Sequence, residues 1–363
     1  MTHSNNIVSE KPLVSVIINC FNGEKYLRDA LDSVITQTYK NWEIIFWDNK
    51  STDKSAEIFK SYKDSRLKYY CASSHANILY EARNYALEKA NGDFIALLDV
   101  DDWWLPNKLE KQIPLFDDSD VGVVYGNEWG LFEKKNKKEI YKKKVLPTGL
   151  ILDELLHDYV IGSPTYVIRK KSLESLDYHF NKHLHIIGDF DLNIRLAVKW
   201  KIDCIQEPLA CCRIHSGNFT YVNNINHVVE IDELERWISD EKISKDKNLE
   251  PHLHYIRQRI TFLKTLKYIN EKKIIKAIKN IILGINKAII SLIFLKQKGY
   301  FAILKKFFTK PSFKILSIFS RYKKFLLNFL NPPNDVYTEF IFILLYQIFI
   351  SLISKLLFNK DTF

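Results

Sequence analysis

Along the first hundred residues, short apolar runs alternate with stretches of helical periodicity. The runs from Leu13 to Asn19, Trp42 to Trp47, Leu67 to Cys71 and Phe94 to Leu98 read as strands. They are apolar at nearly every position, which suits a parallel sheet covered on both faces. Between them, a helix from about Glu24 to Thr36 places Leu27, Leu31 and Val34 on one side. A second helix carries Ala56, Ile58 and Phe59, with Ser51, Thr52 or Asp53 available as its cap. A third runs from Glu81 to Ala90 and stops at Gly92. Strand–helix alternation at this spacing implies right-handed βαβ units and a parallel sheet with helices on both faces.

The pattern continues less regularly. Trp103 to Lys108 is expected to begin a helix with Pro106 in its first turn. Trp104 there reads either as a core residue or as a flat aromatic surface for a ligand. Val121 to Tyr125 suits another strand, and residues 132–144 (FEKKNKKEIYKKK) a charged, solvated hairpin. A short helix from Leu152 to Tyr159 and a strand from Tyr166 to Arg169 precede the stretch HIIGDFDLNIRLAVKW. There Asp189 and Asp191 open a helix, where its dipole stabilises carboxylates.

Charge divides the chain. From residue 251 onward there are 20 Lys and Arg against 4 Asp and Glu, whereas the first 250 residues hold 33 basic and 39 acidic residues. An acidic front and a basic rear predict two regions, residues 1–240 and 241–363. Within Lys272–Leu295 the positions Ile274, Ile275, Ile278, Ile281, Ile282, Ile285 and Ile289 form one helical face, with lysines mostly elsewhere. Basic helices of this kind lie in membrane interfaces and are drawn to anionic lipid; packing as a helical cap is the alternative. Phe340 to Ser354 is uncharged. Its length of roughly 22 Å falls short of the ~30 Å hydrocarbon core, so an in-plane or re-entrant anchor is expected there. The lysines come without the aromatic interleaving of a nucleic-acid module, so no nucleic-acid partner is expected. Five cysteines with no CxxC pair indicate reduced thiols, and the polar start up to Pro12 argues against a secretory signal. No GxGxxG or GxxxxGK[ST] loop follows a strand, which disfavours a dinucleotide dehydrogenase or a P-loop kinase.

The chemistry gathers where FIALLDVDD runs from a strand into Asp99, Asp101 and Asp102. Open α/β sheets bind ligands beyond the carboxyl ends of their strands. In extended backbone Asp99 and Asp101 would point the same way and offer hard oxygen donors to Mg²⁺ or Mn²⁺.

Four blocks in this order, VSVIINCFNGEKYLRDALDSVITQTYKNWEIIFWDNKSTD, EARNYAL, NGDFIALLDVDD and GDFDLNIRL, resemble family 2 glycosyltransferases over roughly residues 12–220. The resemblance implies the GT-A fold, a nucleotide diphosphate-sugar donor, a divalent metal and inverting transfer. It implies that Asn22 and Asp48 contact the donor's base, that Arg83 lies near the diphosphate, and that Asp99 and Asp101 form the DxD pair, near the ribose and on the metal. Asp189 matches the family's base, with Gly188 where a Glu is usual; Asp191 is the alternative base, and Arg195 supports the site. Ala210-Cys211-Cys212-Arg213-Ile214-His215 resembles the terminal Tyr-Arg-x-His block, with Arg213 able to pair with phosphate and His215 a third metal ligand or a diphosphate contact. A lipid-linked glycan acceptor at the inner face of the cell membrane would account for the basic tail. An inactive relative that binds the sugar nucleotide or the membrane is the rival expectation.

Overall fold

In a computed structural model, the structure describes residues 11–218 and 227–271, with positions 273, 276, 277, 279 and 280. The expected basic interfacial helix beyond residue 280 and the uncharged run 340–354 lie outside the described residues. Among the described residues no helix is long and apolar enough to cross a membrane.

The strands are β1 (Val14–Cys20), β2 (Trp42–Asp48), β3 (Leu67–Cys71), β4 (Phe94–Leu97), β5 (Trp103–Trp104), β6 (Val121–Phe132), β7 (Lys137–Ile140), β8 (Val167–Arg169) and β9 (Lys201–Ile214). They form one sheet in the order β3-β2-β1-β4-β8-β6-β9-β5, with β7 paired to β6. From β3 to β4 every pairing is parallel, as the βαβ reading requires. Beyond β4 the sheet is mixed: β8 runs antiparallel to both β4 and β6, while β6 and β9 are parallel. The mostly parallel expectation therefore holds for the front of the sheet only.

The helices are α1 (Leu27–Ile35), α2 (Ser55–Ser61), α3 (Leu79–Leu87), α4 (Lys108–Gln112), α5 (Leu152–His157), α6 (Lys170–Glu174), α7 (Gly188–Ala197), α8 (His227–Ser239), α9 (Glu241–Ser244) and α10 (Leu253–Asn270). Side chains alternate across the sheet, so each apolar strand feeds two cores. Val16, Ile18, Ile44, Phe46 and Ala96 pack with Leu27, Leu31 and Val34 of α1 and Phe59 of α2. Ile17, Ile45, Ile95 and Leu97 pack on the other face with Ala82 and Ala86 of α3, Leu192 and Ile194 of α7, Leu234 of α8 and Ile256 of α10. Residues on both sides of position 240 thus share this second core.

Two local expectations change. Trp103 and Trp104 are not helical but pair as a short strand with Cys211 and Ala210 of β9, and the helix begins only at Lys108. Pro106 closes off the preceding residue from helical backbone, as X-Pro sterics dictate. Trp104 is buried in the core with the Lys108 ammonium 4.2 Å from its ring centroid, so it offers no surface to a sugar. The basic segment 137–140 does form the return strand of a hairpin with β6. All five cysteines are free thiols.

Candidate active site

The carboxyl ends of β1, β2 and β4 carry the loops that build the site. Asn22, after β1, takes a left-handed backbone (φ 54°), as does Lys50 after β2 (φ 67°). The two loops are tied together: Asn22 accepts the Thr52 N–H at 2.8 Å on its side-chain oxygen and donates its own N–H to Ser51 Oγ at 3.0 Å. Asp48 is 2% exposed, its oxygens taken by the Ser51 N–H (2.7 Å) and the Tyr69 hydroxyl (2.6 Å). It stands at the end of β2, where the base was expected, with both oxygens engaged in holding the loop.

The acidic block does not stay extended. The Asp102 N–H bonds the Asp99 carbonyl at 3.1 Å, so residues 99–102 form a turn and the expected common direction of Asp99 and Asp101 is lost. Each carboxylate finds a different partner. Asp99 Oδ1 accepts from Arg83 Nη2 at 2.8 Å. Asp101 Oδ2 accepts from the Asn218 amide at 2.9 Å and lies 3.1 Å from His215 Nε2. Asp102, buried, accepts the Arg213 N–H at 2.8 Å. Burial and then the Asp99 charge raise the Asp101 pKa, against the hydrogen bond from His215. Asp102 is raised well above the carboxylate range by burial and by Asp101 and Asp99.

Arg83 joins this turn to the second acidic block. It is 2% exposed, and its Nη1 donates to both oxygens of Asp189 at 2.8 and 2.9 Å. Its Nη2 also reaches Ser163 Oγ at 3.3 Å. Burial opposes the charge of Arg83, but the Asp189 and Asp99 carboxylates outweigh it and raise its pKa well above the usual value. The guanidinium expected near a diphosphate is thus committed to two carboxylates. Arg213 is committed likewise, its Nη atoms to Asp29 (2.7 Å) and Glu133 (3.3 Å).

Asp189 sits in the first turn of α7 with 19% of its side chain exposed. Besides Arg83 it accepts from the Tyr166 hydroxyl at 2.6 Å on Oδ1. The Tyr80 hydroxyl has one proton and two acceptors, the Ile186 carbonyl at 3.0 Å and Asp189 Oδ2 at 3.1 Å. Gly188 follows from this packing, since a Cβ there would come within 2.4–2.5 Å of Tyr80 ring carbons. Asp191 is different: fully buried, it pairs with Arg195 Nη2 (2.7 Å) and accepts from Trp237 Nε1 (2.7 Å). Of the two carboxylates of this turn, Asp191 is thus enclosed and Asp189 the exposed one. Arg195 spends its remaining donors on the Tyr178 and His179 carbonyls.

His215 receives the Gly217 N–H on Nδ1 at 3.0 Å. With Nδ1 accepting that bond, the neutral ring carries its proton on Nε2, which points at Asp101. Among the described residues no three His, Cys, Asp or Glu side chains are gathered to hold a metal ion. Even so, a turn with three carboxylates, two of them raised by burial and mutual repulsion, fits a hard cation. Mg²⁺ and Mn²⁺ are commonly held by one or two carboxylates with substrate phosphates completing the shell, and Asp101 and Asp99 are the residues that would hold one.

Tyr80, Ser163 and Tyr166 were not foreseen from the sequence. Tyr80 lies one helical turn before Arg83, a spacing that could have flagged it; Ser163 and Tyr166 arrive by tertiary folding alone. Glu128 on β6 was also missed. It is buried, its Oε2 has no hydrogen-bond partner, and burial pushes its pKa to about 7.

Open α/β sheets bind ligands beyond the carboxyl ends of their strands, where this chain gathers its carboxylates, and comparison with known proteins makes the class specific. Residues 15–177 match glycosyl transferase family 2. The chain is 33% identical over 210 residues to an uncharacterized glycosyltransferase of Methanocaldococcus jannaschii, covering 56% of this chain and 72% of that protein. It is 36% identical over 168 residues to the UDP-Glc:alpha-D-GlcNAc-diphosphoundecaprenol beta-1,3-glucosyltransferase WfgD of Escherichia coli, covering 46% of this chain and 64%, just under two thirds, of WfgD. The mannosyltransferase PcManGT of Pyrobaculum calidifontis, solved with GDP-Man and Mn²⁺, superposes with a TM-score of 0.54 at 15% identity over 83% of each chain, a likeness of fold. The chain belongs to glycosyl transferase family 2, and its sheet has the GT-A fold.

Proposed function

We propose that this chain is an inverting glycosyltransferase that moves a sugar from a nucleotide diphosphate donor to a hydroxyl of a lipid-linked glycan in surface-polysaccharide biosynthesis. The observation that carries the reading is the Arg83 bridge, one guanidinium holding Asp99 of the acidic turn and Asp189 of α7. It brings a candidate base and a candidate diphosphate-cation site to the same place, which inversion requires. Asp189 Oδ2 takes the proton of the acceptor hydroxyl as that oxygen bonds to the anomeric carbon and the bond to the diphosphate breaks. Tyr166 fixes the Oδ1 side of the carboxylate and Arg83 spans both oxygens, while the shared Tyr80 proton leaves Oδ2 the less committed of the two. A divalent ion at Asp101 would neutralise charge on the departing diphosphate. The His215 Nε2–H is a further donor for that charge. WfgD's name supplies the acceptor class, a sugar diphosphoundecaprenol, and the basic residues after 251 would keep the enzyme on the cytoplasmic membrane face where such lipids are found.

A second reading, a sugar-nucleotide binder without turnover, draws on the crowding of Asp189 by hydrogen-bond donors. The two separate on one pair of measurements. UDP-, GDP- and dTDP-sugars are screened for binding and for transfer to a lipid-diphosphate sugar, and Asp189→Asn is compared on whichever donor binds. Loss of transfer by more than about 100-fold with donor binding kept supports the base. Unchanged turnover removes it.

A further inference from the structure

Helix α8, beyond the matched family segment, reaches back to the loop that launches α7. Glu233 of α8 is fully buried, and its carboxyl accepts three successive backbone N–H groups: His185 (2.6 Å), Ile186 (2.9 Å) and Ile187 (3.1 Å). One turn further on, Trp237 donates its indole N–H to Asp191. These residues flank Asp189, and the Ile186 carbonyl is also one of the two acceptors of the Tyr80 hydroxyl. Helix α8 is also tied to α10 by Glu230 with Arg259 (2.5 Å) and Glu235 with Lys264 (2.6 Å).

We propose that α8 is a strut that sets the position of Asp189, with Glu233 its positioning residue. Only an acceptor-rich group satisfies three neighbouring N–H donors in a dry setting, and buried donors left unpaired are costly. If Glu233 were replaced, residues 185–187 would have to turn to find other acceptors, and Asp189 two residues on would turn with them. Because reacting groups must be held to within fractions of an ångström, such a shift is felt in the chemical step before it is felt in donor binding. The proposal rests on Asp189 being the base.

The test uses the full chain and two readouts. In Glu233→Gln, amide hydrogen exchange at residues 185–191 is compared with wild type. Turnover is measured with UDP-glucose, Mn²⁺ and N-acetylglucosamine diphosphoundecaprenol, extended to GDP- and dTDP-sugars. The expected result is faster exchange confined to these residues with kcat down roughly 10- to 100-fold and the donor KM within a few-fold. Glu233→Asp, which keeps the carboxylate, should recover part of kcat. Should Glu233→Gln fail to fold, Trp237→Phe carries the same test through the second contact, with a smaller loss of kcat at unchanged KM. Unchanged exchange, or altered exchange with kcat unchanged, overturns the strut. Asp189→Asn run alongside keeps the two ideas apart: if it retains turnover, or if the wild type transfers from none of these donors, the base reading falls and the positioning role falls with it. If Asp189→Asn is inactive while Glu233→Gln is normal, the strut alone fails.

Discussion

Two acidic pairs with the same spacing, Asp99 with Asp101 and Asp189 with Asp191, meet opposite fates. In the turn after β4 three carboxylates share a partly buried corner, and their compensation is slight: one arm of the Arg83 guanidinium, with neutral hydrogen bonds from His215 and Asn218. In the first turn of α7 each carboxylate faces a guanidinium, Arg195 for Asp191 and, for Asp189, the Arg83 that it shares with Asp99. The first arrangement is under-compensated and fits an external cation. The second is compensated from within and fits a fixed, pre-oriented pair. Identical spacing therefore says little about role; the supply of positive charge decides it.

Arg83 is where the two arrangements meet, so removing it should have the largest effect. Arg83→Met leaves two carboxylates facing each other without their shared cation. Breaking a buried pair in this way typically costs about 3–5 kcal/mol. Urea unfolding should show a loss of that order, and transfer should vanish. A change below about 1 kcal/mol would mean that the acids are compensated elsewhere.

A sharper contrast comes from Asp101→Asn set against Asp191→Asn. Losing even an outer partner of a bound metal costs roughly 10- to 100-fold in affinity. Asn at 101 should raise the Mn²⁺ concentration for half-maximal turnover by at least that much, while Asn at 191 should lower stability and leave the Mn²⁺ dependence alone. Equal shifts in both variants would erase the distinction between an open and a closed acidic pair.

The last contrast, with no effect expected on transfer, concerns Glu128, a third kind of carboxylate with no cation bonded to it among the described residues. Its folded pKa, raised from 4.5 to about 7 by burial, means that the folded protein binds this proton more tightly than the unfolded chain. The stabilisation is complete below pH 4.5 and is lost as pH rises through about 7. Glu128→Gln should therefore raise stability at pH 8 by up to about 3 kcal/mol, with the gain shrinking toward pH 4.5. Melting curves at pH 5 and pH 8 measure it; a gain of equal size at both would show that the side chain is not held protonated.

Much of the front half was legible in advance because its strands are apolar on both faces and its helices on one. The positions of β1 to β4 and α1 to α3, and the acids at the strand ends, follow from local pattern. The 14-residue β9 was not foreseen, because its residues mix Lys, Asp, Gln and Arg with apolar ones and half-exposed strands leave a weak signature. Whether residues 99–102 stay extended or turn was open in the sequence for a similar reason: their hydrogen bonds involve Arg83, Arg213 and His215 arriving from elsewhere.

By itself the sequence determined the parallel front of the sheet, the family and the candidate acids, since periodicity and side-chain type are local properties. Only the tertiary structure decided which acid stays accessible, which is sealed against an arginine, and that His215 presents a proton rather than a lone pair. The Asp189 setting depends on Arg83 and Tyr166, 106 and 23 residues away along the chain, and the enclosure of Asp191 on Trp237, 46 residues away, as well as on nearby Arg195. Such groups exert their effect only when folding has removed the water between them.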